Sequence, residues 1–220
     1  MNSLIIIPVL NESGTLKNVI SRIRTSCDHD ILVVDDGSSD GSGTIALENG
    51  AGLITLPINL GAWGAIQTGM KYALSKGYQA VVTMDGDNQH APGYINTLLQ
   101  ELDQSNDVVI GSCLERGSAA KHFIWYILKN LSGLDIADIT SGFRAYNTKA
   151  MQLLLTRESQ ILDYQDIGVL MICRNNGLQI KEITVEMQDR THGKSKIYKN
   201  SAMILRYLLS TLFLIGTKRW

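Results

Sequence analysis

The sequence predicts a single α/β domain whose mostly parallel sheet is covered by helices on both faces. Two observations predict it. Short runs rich in Val and Ile alternate with stretches of helical apolar spacing, the pattern of strands buried on both sides. The second and fourth of these runs also end in acidic, glycine-containing turns, and open α/β sheets bind ligands beyond the carboxyl ends of their strands.

The runs SLIIIPV (3–9), DILVVDD (30–36), AGLITLP (51–57), YQAVVTMD (78–85) and DVVIGSC (107–113) read as buried strands. Helices are expected between them near 13–26, 41–49, 62–76 and 92–104. The first run stops at a polar turn and has no basic leader, so it reads as a strand rather than a signal peptide. In the second half, an unusually apolar helix is expected near 118–131, and TSGFRAYN (140–147) reads as a loop and short strand. Helices near 148–156 and 165–176 follow, then LQIKEITVEM (178–187), whose alternation marks a half-exposed strand. RTHGKSKIY (190–198) is a basic loop, and 201–216 is a strongly apolar helix. One domain is expected over 1–198, with 199–220 as a C-terminal appendage.

Composition narrows the function. Hydrophobic residues make up 45% of the 220 and charged residues 19%, which is globular rather than disordered. A chain of this length buries roughly 70% of its unfolded surface and needs no disulfide or structural metal. Lys plus Arg number 20 against 21 Asp plus Glu, which argues against nucleic acid as a general partner. Cys27, Cys113 and Cys173 form no C-x-x-C pair and read as buried thiols in a reducing cytosol.

Two turns carry the chemistry. In MDGDNQH (84–90), Asp85 and Asp87 flank Gly86, so two carboxylates can converge on a hard cation while the backbone stays close to a ligand. Mg²⁺ or Mn²⁺ held by so few groups keeps positions open for diphosphate oxygens, and Gln89 could add a neutral oxygen. The plainer reading is a turn whose aspartates cap the next helix. In VVDDGSSDG (33–41), Asp35 and Asp36 can accept hydrogen bonds from a nucleobase or ribose, or can simply stabilise an Asp/Ser/Gly turn. GSGTIA (41–46) matches a dinucleotide fingerprint but follows the wrong strand, and no P-loop is present. His29, His90, His122 and His192 are scattered, which argues against zinc; His90 fits either diphosphate contact or loop capping.

Taken together, IPVLNE (7–12), VVDDGSSDG, NLGAWGAIQTGMKYA (59–73), MDGDNQH, VIGS (109–112), DITSGFRAYN (138–147) and RTHGKSK (190–196) resemble the family-2 inverting glycosyltransferases. The order and spacing look closest to the branch of dolichol- and polyprenyl-phosphate sugar transferases. The resemblance implies a GT-A-type, Rossmann-like fold and transfer of a sugar from a nucleotide-diphosphate donor. It places Pro8, Leu10 and Glu12 along the nucleotide and Asp35 or Asp36 at the base. Asp85 and Asp87 become the metal and diphosphate ligands with Gly86 and Gln89 beside them. Ser141 and Arg144 fall in the acceptor loop, and Arg190 and Lys196 in a loop that closes over phosphates, which suits their chemistry. Asp87, Arg144 and Asp166 are the expected catalytic residues. The sequence departs from the family at Cys113, where Arg is frequent (Arg116 follows), and at Tyr164, Gln165 and Asp166, where Tyr-Pro-Glu is frequent.

Asp166, with Asp163 second, would be the base for a sugar-hydroxyl acceptor, as in polysaccharide synthesis. A phosphate acceptor is already ionised near neutral pH and needs no base. The helix at 201–216 is short of the roughly 20 residues that span a bilayer. Its apolar face and flanking Lys194, Lys196, Lys199, Lys218 and Arg219 suit the cytoplasmic membrane surface, or a homo-oligomer contact. A sugar-phosphate nucleotidyltransferase is a second enzyme class, but its Gly-rich, Arg-containing first loop is replaced here by IPVLNE. A non-catalytic nucleotide-sugar binder would not need Asp85, Asp87, Arg144 and Arg190 intact.

Overall fold

The computed structural model describes residues 1–113, 133–160, 162 and 165–188. Among the described residues seven strands form one sheet: β1 (Ser3–Val9), β2 (Asp30–Asp35), β3 (Gly52–Thr55), β4 (Ala80–Thr83), β5 (Val108–Ser112), β6 (Arg144–Asn147) and β7 (Ile180–Thr184). Their order is β3-β2-β1-β4-β6-β5-β7. The β1–β2, β1–β4, β2–β3 and β5–β7 pairs are parallel, and β6 lies antiparallel between β4 and β5.

β1 is buried on both faces, and its alternation divides the core in two. Ile5, Ile7 and Val9 face one side with α1 (Leu16–Ser26), α2 (Ser42–Glu48) and α4 (Ile95–Asp103). Leu4 and Ile6 face the other, with α3 (Gly61–Ser75), α5 (Thr148–Leu153) and α7 (Ile167–Asn175). A one-residue register slip would exchange these two apolar sets, so shape complementarity with the helices on each face, rather than polarity, holds the pairing. Each fully buried Ile contributes about 1.5–3 kcal/mol. Helix α3 packs so closely on β1 that a Cβ at Gly69 would stand 2.7 Å from Ile6 Cγ2, which only glycine avoids.

Several expectations are adjusted. β3 is an edge strand with half-exposed side chains, not a buried one. The short strand in 140–147 is antiparallel and separates β5 from β4, a placement set by long-range pairing rather than by local pattern. The helix expected near 148–156 ends at Leu153, and a separate short helix, α6 (Arg157–Gln160), follows it. Of the three cysteines only Cys173 is buried; Cys27 and Cys113 are half-exposed. The helices expected at 118–131 and 201–216, the 190–198 loop, Arg116, Asp163 and Tyr164 lie outside the described residues. Among the described residues no helix is long and apolar enough to cross a membrane.

Candidate active site

The strand order reverses beside β1, which has β2 on one side and β4 on the other. The loops after these three strands therefore meet at the crevice where open α/β sheets bind ligands.

The β1 and β2 loops are fastened to each other. Asn11, at φ +56°, donates from its amide to Ser38 Oγ at 2.9 Å and accepts from Ser39 N on Oδ1 at 2.8 Å. Glu12 N donates to Ser42 Oγ at 3.0 Å, and Ser13 N to Asp40 Oδ2 at 2.9 Å. Burial raises the Asp40 carboxyl, but the Ser42 hydroxyl and the Ser13 and Ser42 amides outweigh it and hold it down to about 2. Asp35 and Asp36 have different surroundings. Asp35 Oδ1 accepts from Ser38 N at 2.9 Å, a local turn. Asp36, 3% exposed, accepts Leu60 N on Oδ1 at 2.6 Å and Gly61 N on Oδ2 at 2.9 Å, and so fastens the entry to α3. Pro8 pairs with Val34 near the carboxyl end of β1, and Pro8, Leu10 and Glu12 are all half-buried.

The turn after β4 rests on α1. Thr15 stands at the N-cap of α1 yet makes no cap; its hydroxyl donates to Gly86 O at 2.7 Å. Asn88, at φ +67°, is held by Arg22 Nη1 through its Oδ1 at 2.6 Å. Asp87 is buried, with Oδ1 accepting from Gln89 N at 3.1 Å. Gln89 O accepts from Gln188 N at 2.8 Å, and the Asp85 side chain is 48% exposed. Two carboxylates and a carboxamide are hard oxygen donors that fit Mg²⁺ or Mn²⁺. Among the described residues no group of three His, Cys, Asp or Glu converges.

The Ser141–Arg144 stretch supports this turn from the other side. Ser141 Oγ donates to Gly111 O at 2.6 Å and accepts from Phe143 N at 3.2 Å, which leaves it buried as a loop tie. A Cβ on Gly142 would lie 3.1 and 3.2 Å from the two Asp85 oxygens, so glycine makes room for that carboxylate. Arg144 is fully buried; Nη2 donates to Ile139 O at 2.9 Å, while Nε and Nη1 have no hydrogen-bond partner among the described residues. Burial pushes the neighbouring Tyr146 hydroxyl up, and the Cys173 thiol up to about 12, against the pull of Arg144. Neither therefore ionises near neutral pH to balance the guanidinium. Gln165 links Tyr146 Oη, at 2.6 Å, to Thr83 Oγ1, at 3.0 Å. Asp166 is the N-cap of α7, accepting from Gly168 N at 3.2 Å.

The sequence profile described as Glycosyl transferase family 2 matches residues 4–161. The chain belongs to glycosyltransferase family 2. This family-2 glycosyltransferase is 31% identical over 214 residues to the polyprenol monophosphomannose synthase of Mycolicibacterium smegmatis, covering 89% of this chain and 80% of that protein. It is 31% identical over 215 residues to the undecaprenyl-phosphate mannosyltransferase of Micrococcus luteus, covering 90% and 88%. The crystal structure of glucosyl-3-phosphoglycerate synthase from Mycobacterium tuberculosis, in complex with Mn²⁺, uridine diphosphate and phosphoglyceric acid, shares its fold. The TM-score is 0.73 at 20% identity, over 98% of this chain and 78% of that one.

In this glycosyltransferase Glu12, Asp85, Gly86 and Ser141–Phe143 thus lie around one turn, with Asp35 and Asp36 on the adjoining β2 loop. Arg190 and Lys196 lie outside the described residues. The contacts of Thr15, Arg22, Phe143 and Gln165 escaped the sequence reading because they span 19 to 82 positions of chain.

Proposed function

We propose that this chain transfers a sugar, with inversion, from a nucleotide-diphosphate sugar to a polyprenyl phosphate. The observation that carries the reading is the Asp85–Gly86–Asp87 turn braced against the β1 loop at the reversal of strand order. Relatives bearing polyprenol- and undecaprenyl-phosphate names support the acceptor class. Asp85 and Asp87, with Gln89, would hold Mg²⁺ or Mn²⁺, which when bound offsets charge developing on the departing nucleotide diphosphate. The solved relative that contains Mn²⁺ with uridine diphosphate supports the metal. Pro8, Leu10 and Glu12 would line the nucleotide. Asp35 would meet the base or ribose, since Asp36 is engaged at the start of α3. Arg190 and Lys196 would close over the phosphates, and the Arg144 guanidinium would add positive potential on the acceptor side beneath Ser141.

The acceptor oxygen attacks the anomeric carbon, the bond to the diphosphate breaks, and the electron pair leaves on the nucleotide diphosphate. A phosphate acceptor brings its own ionised nucleophile, which agrees with Asp166 acting as a helix cap. Transfer to a saccharide hydroxyl is the second reading; the carboxylate at position 166 favours it as a base. The chain would work at the cytoplasmic membrane surface, held there by 199–220. A panel of nucleotide sugars, assayed for nucleotide diphosphate release with and without EDTA, tests the donor side. Release confined to one or two donors and abolished by EDTA is expected; release that ignores EDTA would remove the metal from the reading.

A further inference from the structure

His90 is 1% exposed and sits under the half-exposed Asp85 carboxylate. Its Nδ1 is 3.0 Å from Asp85 N. An amide N–H can only donate, so Nδ1 must carry a lone pair, and the neutral ring then bears its proton on Nε2. Nε2 faces Asp85 Oδ2 at 3.7 Å, an electrostatic contact rather than a hydrogen bond. The ring also stacks on Phe143, with centroids 5.1 Å apart and planes at 16°. Phe143 N is held by Ser141 Oγ, and a Cβ on Gly142 would crowd both Asp85 oxygens. The Asp85 side chain is therefore bounded by an N–H on one side and by a glycine on the other, while the same histidine fixes its backbone.

We infer that His90 is the positioning residue of the cation site. In its Nε2–H tautomer it orients the Asp85 carboxylate toward the ion, and Phe143 fixes the ring plane. The inference rests on the reading of Asp85 and Asp87 as cation ligands and deepens it. Groups that orient a ligand from behind typically change metal affinity by 10- to 100-fold when removed. A ring that merely filled space under the turn would leave metal affinity untouched.

The test titrates Mn²⁺ alone into the full chain, reading free ion by electron paramagnetic resonance. Wild type is compared with Asp85→Asn, His90→Phe and His90→Asn, and thermal midpoints are recorded alongside. The Phe variant keeps the stack and loses both nitrogens. The Asn variant keeps an acceptor for Asp85 N and loses the Nε2 donor, and it serves if the Phe variant fails to fold. Both should bind Mn²⁺ at least about tenfold more weakly than wild type while unfolding as cooperatively. Long-range ¹H–¹⁵N spectra of the wild type should show the His90 proton on Nε2. Wild-type affinity in a folded His90 variant, with affinity lost in Asp85→Asn, overturns the inference alone, as does a proton on Nδ1. Equal binding by wild type and Asp85→Asn instead fails the cation reading of the turn, and the inference falls with it.

Discussion

Asp87 and Gly142 act through single atoms. Asp87→Asn keeps an oxygen to accept from Gln89 N but removes a negative charge from the proposed cation site. Metal stabilisation of a transition state is worth several kcal/mol, so turnover should fall by roughly 10²-fold or more with an unchanged unfolding midpoint. Gly142→Ala would press a methyl group against the Asp85 carboxylate. A displacement of a few tenths of an ångström at a reacting centre should lower kcat about several-fold, in a protein that melts near the wild-type temperature. Steady-state kinetics with thermal melts check both. The paired aspartates were legible because their chemistry is local, two carboxylates around a glycine. The duties of Ser141 and Gly142 were not, because each depends on an atom that folding brings from a distant part of the chain, Gly111 O for one and Asp85 for the other.

At the scale of elements, the β2 loop separates two aspartates that the sequence leaves equivalent. Asp36→Ala would leave the Leu60 and Gly61 amides without their carboxylate, at a cost of about 1–3 kcal/mol, read as a lower urea midpoint. Asp35→Ala removes one turn bond and should weaken nucleotide diphosphate binding more than it weakens the fold, as calorimetric titration would show. Asp40 gives the same loop a pH response. Its folded value near 2 lies below the ordinary carboxylate value of about 3.9, so the stability it contributes is complete above that range. It is lost as pH falls from about 4 through about 2, and Asp40→Asn should flatten that part of the acid unfolding curve. The strands and helices of the first half were legible from period alone, because βαβ units are local. The slot taken by β6 was not, because Thr83↔Arg144 and Ile110↔Arg144 pairing is decided by the whole sheet.

Across the whole molecule, the family-2 domain brings the Asp85–Asp87 turn, the β2 loop and the buried Arg144 to one end of its sheet. Residues 199–220 are read as the part that brings this end to a lipid. Removing 201–220 should then lower co-sedimentation with anionic vesicles while nucleotide diphosphate binding stays within about twofold, since the groups proposed to bind the nucleotide lie in the β1 and β2 loops. Sugar transfer to a lipid phosphate is tested most directly by product analysis. Labelled nucleotide sugar and Mn²⁺ are supplied with undecaprenyl phosphate in detergent in one arm and with soluble saccharides in the other. The expected product is labelled glycosyl polyprenyl phosphate, with one nucleotide diphosphate released per transfer, abolished by EDTA and by Asp87→Asn and largely retained in Asp166→Asn. Label found only in soluble saccharide, or lipid product formed equally well in EDTA, would contradict it.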